Sequence, residues 1–152
     1  MATYILDTNI ISYLWDSKSI FHDQIKNKLY SLNNDDIVAT TIISIYELTY
    51  GIDSFKNDKL KKYFLNAIES IKNDKDISIY PLDLESASYF SNVKNIYKKD
   101  TGIIDKSIKK NDLDFMIASI ALSQNAILVS NDKLFKVLAE NTDLQYENWI
   151  EE

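Results

Sequence analysis

The chain has no cysteine and no arginine, one proline, two glycines and one histidine. Without cysteine there is no disulfide framework and no thiolate metal site. A histidine-based catalytic pair has a single candidate, His22. All 17 basic residues are lysines, so the planar fork that grips phosphate at two points is missing. The formal net charge of −6 removes a globally basic face as a signal for nucleic acid. Clustered lysines beside cation-binding carboxylates still suit RNA. No apolar run approaches the ~20 residues of a membrane span. Residues 1–15 have neither the basic start nor the cleavage site of a secretory leader. The expected location is the cytoplasm, with no membrane partner. Scarce glycine and proline beside abundant isoleucine, asparagine and lysine read as genome bias rather than function.

What is present is a regular alternation. Short runs rich in Ile, Val, Tyr and Leu predict strands at Thr3–Leu6, Ile37–Thr40, Ile77–Tyr80 and Ala126–Val129, with a weaker one at Leu144–Tyr146. Between them, apolar residues at three- and four-residue spacing predict helices over Ile42–Ile52, Leu60–Ile71, Leu84–Tyr97 and Leu113–Leu122. The last is apolar almost all round, as a central buried helix is. Asp83, and Asn57 or Asp58, stand where N-caps belong. Pro81 bars extension of the third strand, and Gly51 and Gly102 fall near helix ends. No linker or internal repeat interrupts residues 1–152, which read as one domain. Strands alternating with helices imply a parallel sheet with right-handed crossovers. Ligands in such sheets bind at the carboxyl ends of the strands, where strand order reverses.

A parallel α/β fold can bring four acids to that edge. Asp7 follows the first strand, Asp132 the fourth, and Asp114 opens the central helix. Each of these, taken alone, also reads as a helix cap. Glu47 does not: it lies inside a helix among Ile43, Ile45 and Leu48, where a carboxylate is costly unless paired or metal-bound. Asp35, Asp36, Asp53, Asp58, Asp74, Asp76 and Asp100 lie in polar stretches and read as solvated. Several carboxylates in one pocket repel until protons or a cation join them. All-oxygen ligation suits Mg²⁺ or Mn²⁺, and such ions activate water against a phosphodiester.

The segments YILDTNIIS, SIYELTYG, LDFMIASIAL and ILVSND together resemble the sequence blocks of PIN-domain ribonucleases, and more narrowly the VapC-type toxins of toxin–antitoxin modules. The resemblance runs from Thr3 to about Phe135. It implies a three-layer α/β/α fold on a four- or five-stranded parallel sheet. It also implies that Asp7, Glu47, Asp114 and Asp132 form the catalytic Mg²⁺/Mn²⁺ site. Asp7 and Asp114 would be its most direct ligands, with Asn9, Ser130 and Ser44 orienting them by hydrogen bonds. The family commonly has Thr where this chain has Ser130, and the hydroxyl is retained. Asp112, two residues before Asp114 and on another helix face, reads as the cap of that helix.

The implied substrate is RNA, and the implied partners are a second copy of the chain and a small antitoxin seated in a groove by the acids. Ile10, Ile11, Leu14 and Trp15 would line that groove or simply face the core. Lysines bunch in Lys56–Lys62 and again at Lys98, Lys99, Lys106, Lys109 and Lys110. Either run reads as a solvated face or a phosphate contact, and the second leads directly to Asp114. Tyr46, Tyr50 and Trp15 read as core, interface or base-stacking surface. A receiver domain would need paired acids where DTN stands, and a haloacid-dehalogenase phosphatase would need an Asp at Asn9. Neither fits. The alternatives that remain are a PIN nuclease without toxin function and a catalytically inactive RNA-binding module.

Overall fold

The computed structural model describes residues 1–73 and 76–150. Five strands form one parallel sheet in the order β3-β2-β1-β4-β5. They are β1 (Thr3–Leu6), β2 (Ile37–Thr41), β3 (Ile77–Tyr80), β4 (Ile127–Val129) and β5 (Gln145–Glu147). The helices between them are α1 (Thr8–Trp15), α2 (His22–Tyr30), α3 (Ile42–Asp53), α4 (Asp58–Asn73), α5 (Leu84–Thr101), α6 (Asp105–Ile108), α7 (Asp112–Ser123) and α8 (Lys133–Asn141). A short 3₁₀ turn at Lys109–Asn111 joins α6 to α7. No helix among the described residues is long and apolar enough to cross a membrane.

The side-chain alternation of a strand divides the core in two. Ile5 and Leu128 face a cluster with Val93 of α5, Phe115, Ile117 and Ile120 of α7, and Phe135 and Leu138 of α8. Their neighbours Leu6 and Val129 face the opposite cluster, with Ile10 and Ile11 of α1, Ile25 of α2, Leu48 and Ile52 of α3, and Phe64 and Ile68 of α4. Both sheet faces are therefore covered, which explains why the strands read as continuous apolar runs. This is the expected three-layer α/β/α fold, with five strands.

The strand predictions hold within a residue or so. The predicted α3, α4, α5 and α7 are all present, some a turn longer. Asp83 begins α5 through a capping box: its carboxylate accepts from the Ser86 amide (2.8 Å) and Ser86 Oγ accepts from the Asp83 amide (3.1 Å). Asn57 is the acceptor at the start of α4. Gly102 ends α5 at φ +69°, a left-handed conformation that suits a residue without Cβ.

The strand order fixes the location of any site. From β1 the chain moves one way to β2 and β3, then returns past β1 to β4 and β5. The reversal falls between β1 and β4, and their carboxyl ends open the crevice. Asp7 and Asp132 follow those two strands.

Candidate active site

Asp7 is the best-held of the four acids. Its amide donates to Val129 O (3.0 Å), continuing the β1–β4 ladder to the edge of the sheet. Its Oδ1 accepts from the Thr8 amide (2.8 Å) and caps α1. Its Oδ2 accepts from Ser130 Oγ (2.7 Å). Ser130 is fully buried, and its Oγ also accepts from the Asp132 amide (3.0 Å). Asp132 in turn caps α8 by accepting from the Leu134 amide (3.0 Å). One serine hydroxyl thus ties the ends of β1 and β4 together. Capping and site membership coincide here, since each carboxylate has oxygens beyond the one a cap uses.

Glu47 enters from α3. β2 runs into this helix without a loop: Thr41 is both its last residue and the cap, accepting from the Ser44 amide (3.2 Å). Thr8 Oγ1 donates to Glu47 Oε1 (2.8 Å) and lies 2.9 Å from Ser44 Oγ. A hydroxyl has one proton, so Ser44 donates to Thr8 and Thr8 to Glu47. Asp114 comes from the first turn of α7, and its carboxylate makes no hydrogen bond among the described residues.

Electrostatics joins the four. Burial first, then Glu47 and Asp132, push the Asp7 carboxyl up to about 6 against the hydrogen bonds from Ser130 and Thr8. Burial first, then Asp7, Asp132 and Glu47, push Asp114 to about 7. None of the four has a lysine ion pair among the described residues. A pocket of oxygen donors with excess negative charge and no counter-cation fits a hard divalent ion. No group of three or more acidic side chains among the described residues is already arranged as an ion cage, so binding would require the carboxylates to close in. Asn131, between Ser130 and Asp132, buries an Oδ1 with no partner among the described residues.

The hydrogen bond expected of Asn9 is made by Thr8. Asn9 is exposed at the start of α1 and makes no side-chain hydrogen bond among the described residues. Ser44 reaches Glu47 through Thr8 rather than directly. Thr8 is the orienting residue that the sequence motif contained without revealing, because its contact lies 39 residues away. Two tyrosines near the acids carry no sequence signal of their role. Burial, then the charges of Asp132 and Asp114, raise the Tyr97 phenol; burial, then Asp132 and Asp7, raise Tyr146. Both sense the same negative field.

Asp112 is not the cap of α7. It is the first residue of that helix and its carboxylate accepts from Lys94 Nζ (2.7 Å). Lys98, Lys99, Lys106, Lys109 and Lys110 are all exposed, and Lys98 pairs with Asp105. Of the acids read as solvated, Asp36 departs from that reading. It accepts from the Ala2 and Asn33 amides (2.8 and 2.9 Å), which hold it below the ordinary carboxylate range. Asp53 pairs with Lys61 at the surface, and Asp74 lies outside the described residues.

Thr8→Val should lower the catalytic efficiency of the site roughly 10-fold or more, the usual cost of losing an orienting hydrogen bond. It leaves Glu47 and the buried Ser44 without their shared partner. Thr8→Ser should retain most of the activity, and equal loss in both variants would exclude the hydroxyl as the cause.

A parallel five-stranded α/β/α sandwich with acids at the strand-order reversal defines a class, and the PIN domain family model matches residues 4–141. The chain belongs to the PIN-domain family. It is similar to Ribonuclease VapC2 of Rickettsia felis, at 28% identity over 147 residues, covering 96% of this chain and 97% of that protein. Its fold superposes on VapBC2 from Rickettsia felis, a structure bound to a DNA fragment from their promoter, with TM-score 0.73 and 26% identity over 97% of this chain and 99% of that one. VapBC-1 from nontypeable Haemophilus influenzae matches equally well, with TM-score 0.73 and 26% identity over 97% and 98% of the two chains.

Proposed function

We propose that this chain is a divalent-metal-dependent endoribonuclease and the toxin of a toxin–antitoxin pair, the whole of residues 1–152 serving as one nuclease domain in the cytoplasm. The observation that carries the proposal is the group of four mutually repelling carboxylates at the strand-order reversal, in a chain that belongs to the PIN-domain family. Asp7 and Asp114 are the direct metal ligands, and Glu47 and Asp132 complete the site. A bound Mg²⁺ or Mn²⁺ would polarise the phosphodiester and lower the pKa of a water. The chain's own groups set the geometry. Ser130 fixes the Asp7 carboxylate, Thr8 fixes Glu47, and α8 anchors Asp132. Exposed lysines at 99, 106, 109 and 110 supply charge for the RNA backbone. The chain acts as a homodimer, and a small antitoxin covers the acids until release; the VapBC relatives support that pairing.

The purified protein should cut RNA with Mn²⁺ or Mg²⁺ and lose all cleavage in EDTA. Expression of the chain alone should arrest growth, and co-expression of a cognate antitoxin should relieve the arrest. A folded protein that cuts no RNA with either ion would overturn the nuclease reading. Cleavage without arrest would leave a PIN nuclease of another role.

A further inference from the structure

Tyr46 and Tyr50 are 70% and 83% exposed. They lie on α3, the helix that brings Glu47 to the site. At about 100° per residue, Tyr50 stands about 60° and Tyr46 about 100° round the helix from Glu47, to the same side. They are also i, i+4 neighbours, about 6 Å apart. Glu47 marks the border of this face, since Ser44, Ile45, Leu48 and Ile52 are buried. The exposed face of α3 carries Tyr46, Thr49, Tyr50 and Asp53, with no aliphatic side chain. A helix that docks a protein partner commonly offers aliphatic anchors at such spacing. Exposed rings beside free lysines offer unpaired nucleobases a stacking surface. The face ends near Lys56 and Lys59, both exposed and without a carboxylate partner among the described residues. Lys61, by contrast, is occupied by Asp53.

We infer that Tyr46 and Tyr50 form a stacking ledge for the single-stranded RNA nucleotides flanking the cut phosphate, with Lys56 and Lys59 taking the backbone beyond it. The inference rests on the nuclease reading and assigns part of its substrate track. It adds Lys56 and Lys59, after α3, to the lysines before Asp114 as contacts for the RNA backbone. The ledge is sequence-tolerant, because every base has a ring face, and it favours unpaired RNA over duplex.

The test uses full-length Asp7→Asn protein, which should not cut its ligand, and a short unstructured fluorescent RNA. Adding Tyr46→Ala and Tyr50→Ala should weaken binding at least 10-fold, within the range expected for removing one base stack. Tyr46→Phe with Tyr50→Phe should bind within twofold of the parent, since stacking needs the ring and not the hydroxyl. Lys56→Ala with Lys59→Ala should flatten the dependence of log affinity on log salt by about 0.7 for each phosphate no longer neutralised. All four side chains are exposed, and circular dichroism checks that the variants fold. If the alanine pair binds RNA as the parent does while wild type cleaves RNA, the ledge is overturned and the nuclease reading stands. The same result with loss of self-association or of antitoxin binding assigns the face to a protein partner and also overturns the ledge. If wild type neither binds nor cleaves RNA, both readings fall.

Discussion

Asp7→Asn and Asp114→Asn should each reduce RNA cleavage by about 10³-fold or more, while Asp112→Asn should leave it within a few-fold. A 10³-fold loss corresponds to about 4 kcal/mol of transition-state stabilisation, within what a correctly held metal contributes. Asn is the informative replacement because it keeps the shape. At position 7 its Oδ1 can still accept from the Thr8 amide, so the cap of α1 survives. The Ser130 hydroxyl, which now donates to Oδ2, can turn to accept from the new amide. The missing charge is then the only substantial change. Asp112 is the control because its carboxylate is committed to Lys94, on the surface side of α5 and α7. A partly exposed pair of this kind contributes on the order of 1 kcal/mol or less. Initial rates with saturating Mn²⁺ decide the matter. Loss in Asp112→Asn with activity retained in Asp114→Asn would move the ligand by two residues and overturn the assignment.

The metal-free protein should lose stability as pH rises from 4 to 8. Asp7 ionises near 4 in the unfolded chain and at about 6 in the folded one, and Asp114 at about 7. Both folded values lie above the unfolded ones. The native state therefore holds protons that the unfolded state has released, and stability falls as pH rises through that window. Asp7 is almost wholly buried, and its two-unit shift corresponds to roughly 3 kcal/mol. Asp114 keeps a face to water, so its share is smaller than its shift suggests. At 2–4 °C per kcal/mol for a chain of this size, the melting temperature in EDTA should drop by about 6–12 °C. Mn²⁺ at 100 times its dissociation constant would restore about 2.7 kcal/mol at pH 8. It should do little at pH 5, where protons occupy the site. Asp7→Asn should be more stable than wild type at pH 8 in EDTA and show a flatter profile. Thermal unfolding across this range checks it, and a melting temperature that rises steadily from pH 5 to pH 8 in EDTA would refute it.

The fold was legible where one face decides. Phe64, Ile68 and Ile71 of α4 repeat at helical spacing because that stripe is buried in the second core cluster, whereas Leu60, read as part of the stripe, is exposed. β1 and β3 end where predicted because Asp7 and Pro81 stop them. The helix α2 escaped notice because only Ile25 of its nine residues is buried, which leaves too little periodicity to read. The helix α8 does carry a stripe, Leu134, Phe135 and Leu138, but over nine residues it is too short to establish a helical period. At the candidate site, Asp7 and Asp132 were legible from their positions after strands, Asp114 from the opening of the apolar helix and Glu47 from its apolar surroundings. Their supports were not, for one physical reason. The bond from Thr8 to Glu47 and that from Lys94 to Asp112 join separate helices, and no local spacing encodes them. Asp112 read as a cap because first-turn acids usually are, and a lysine 18 residues upstream claimed it instead.

The joints at the carboxyl edge are short. A single residue, Asp7, separates β1 from α1; nothing separates β2 from α3; three residues separate β4 from α8. The connection between α2 and β2 at the other end is roomier, residues 31–36. Length can therefore vary in this chain away from the three joints that carry Asp7, Glu47 and Asp132. An inserted residue beside β1, β2 or β4 would turn a carboxylate away from its neighbours, whereas insertions around residues 31–36 or between α5 and α7 would leave all four in place. Diversification of such a scaffold, by selection or by design, is channelled into the segments that frame the acids and kept out of those that hold them.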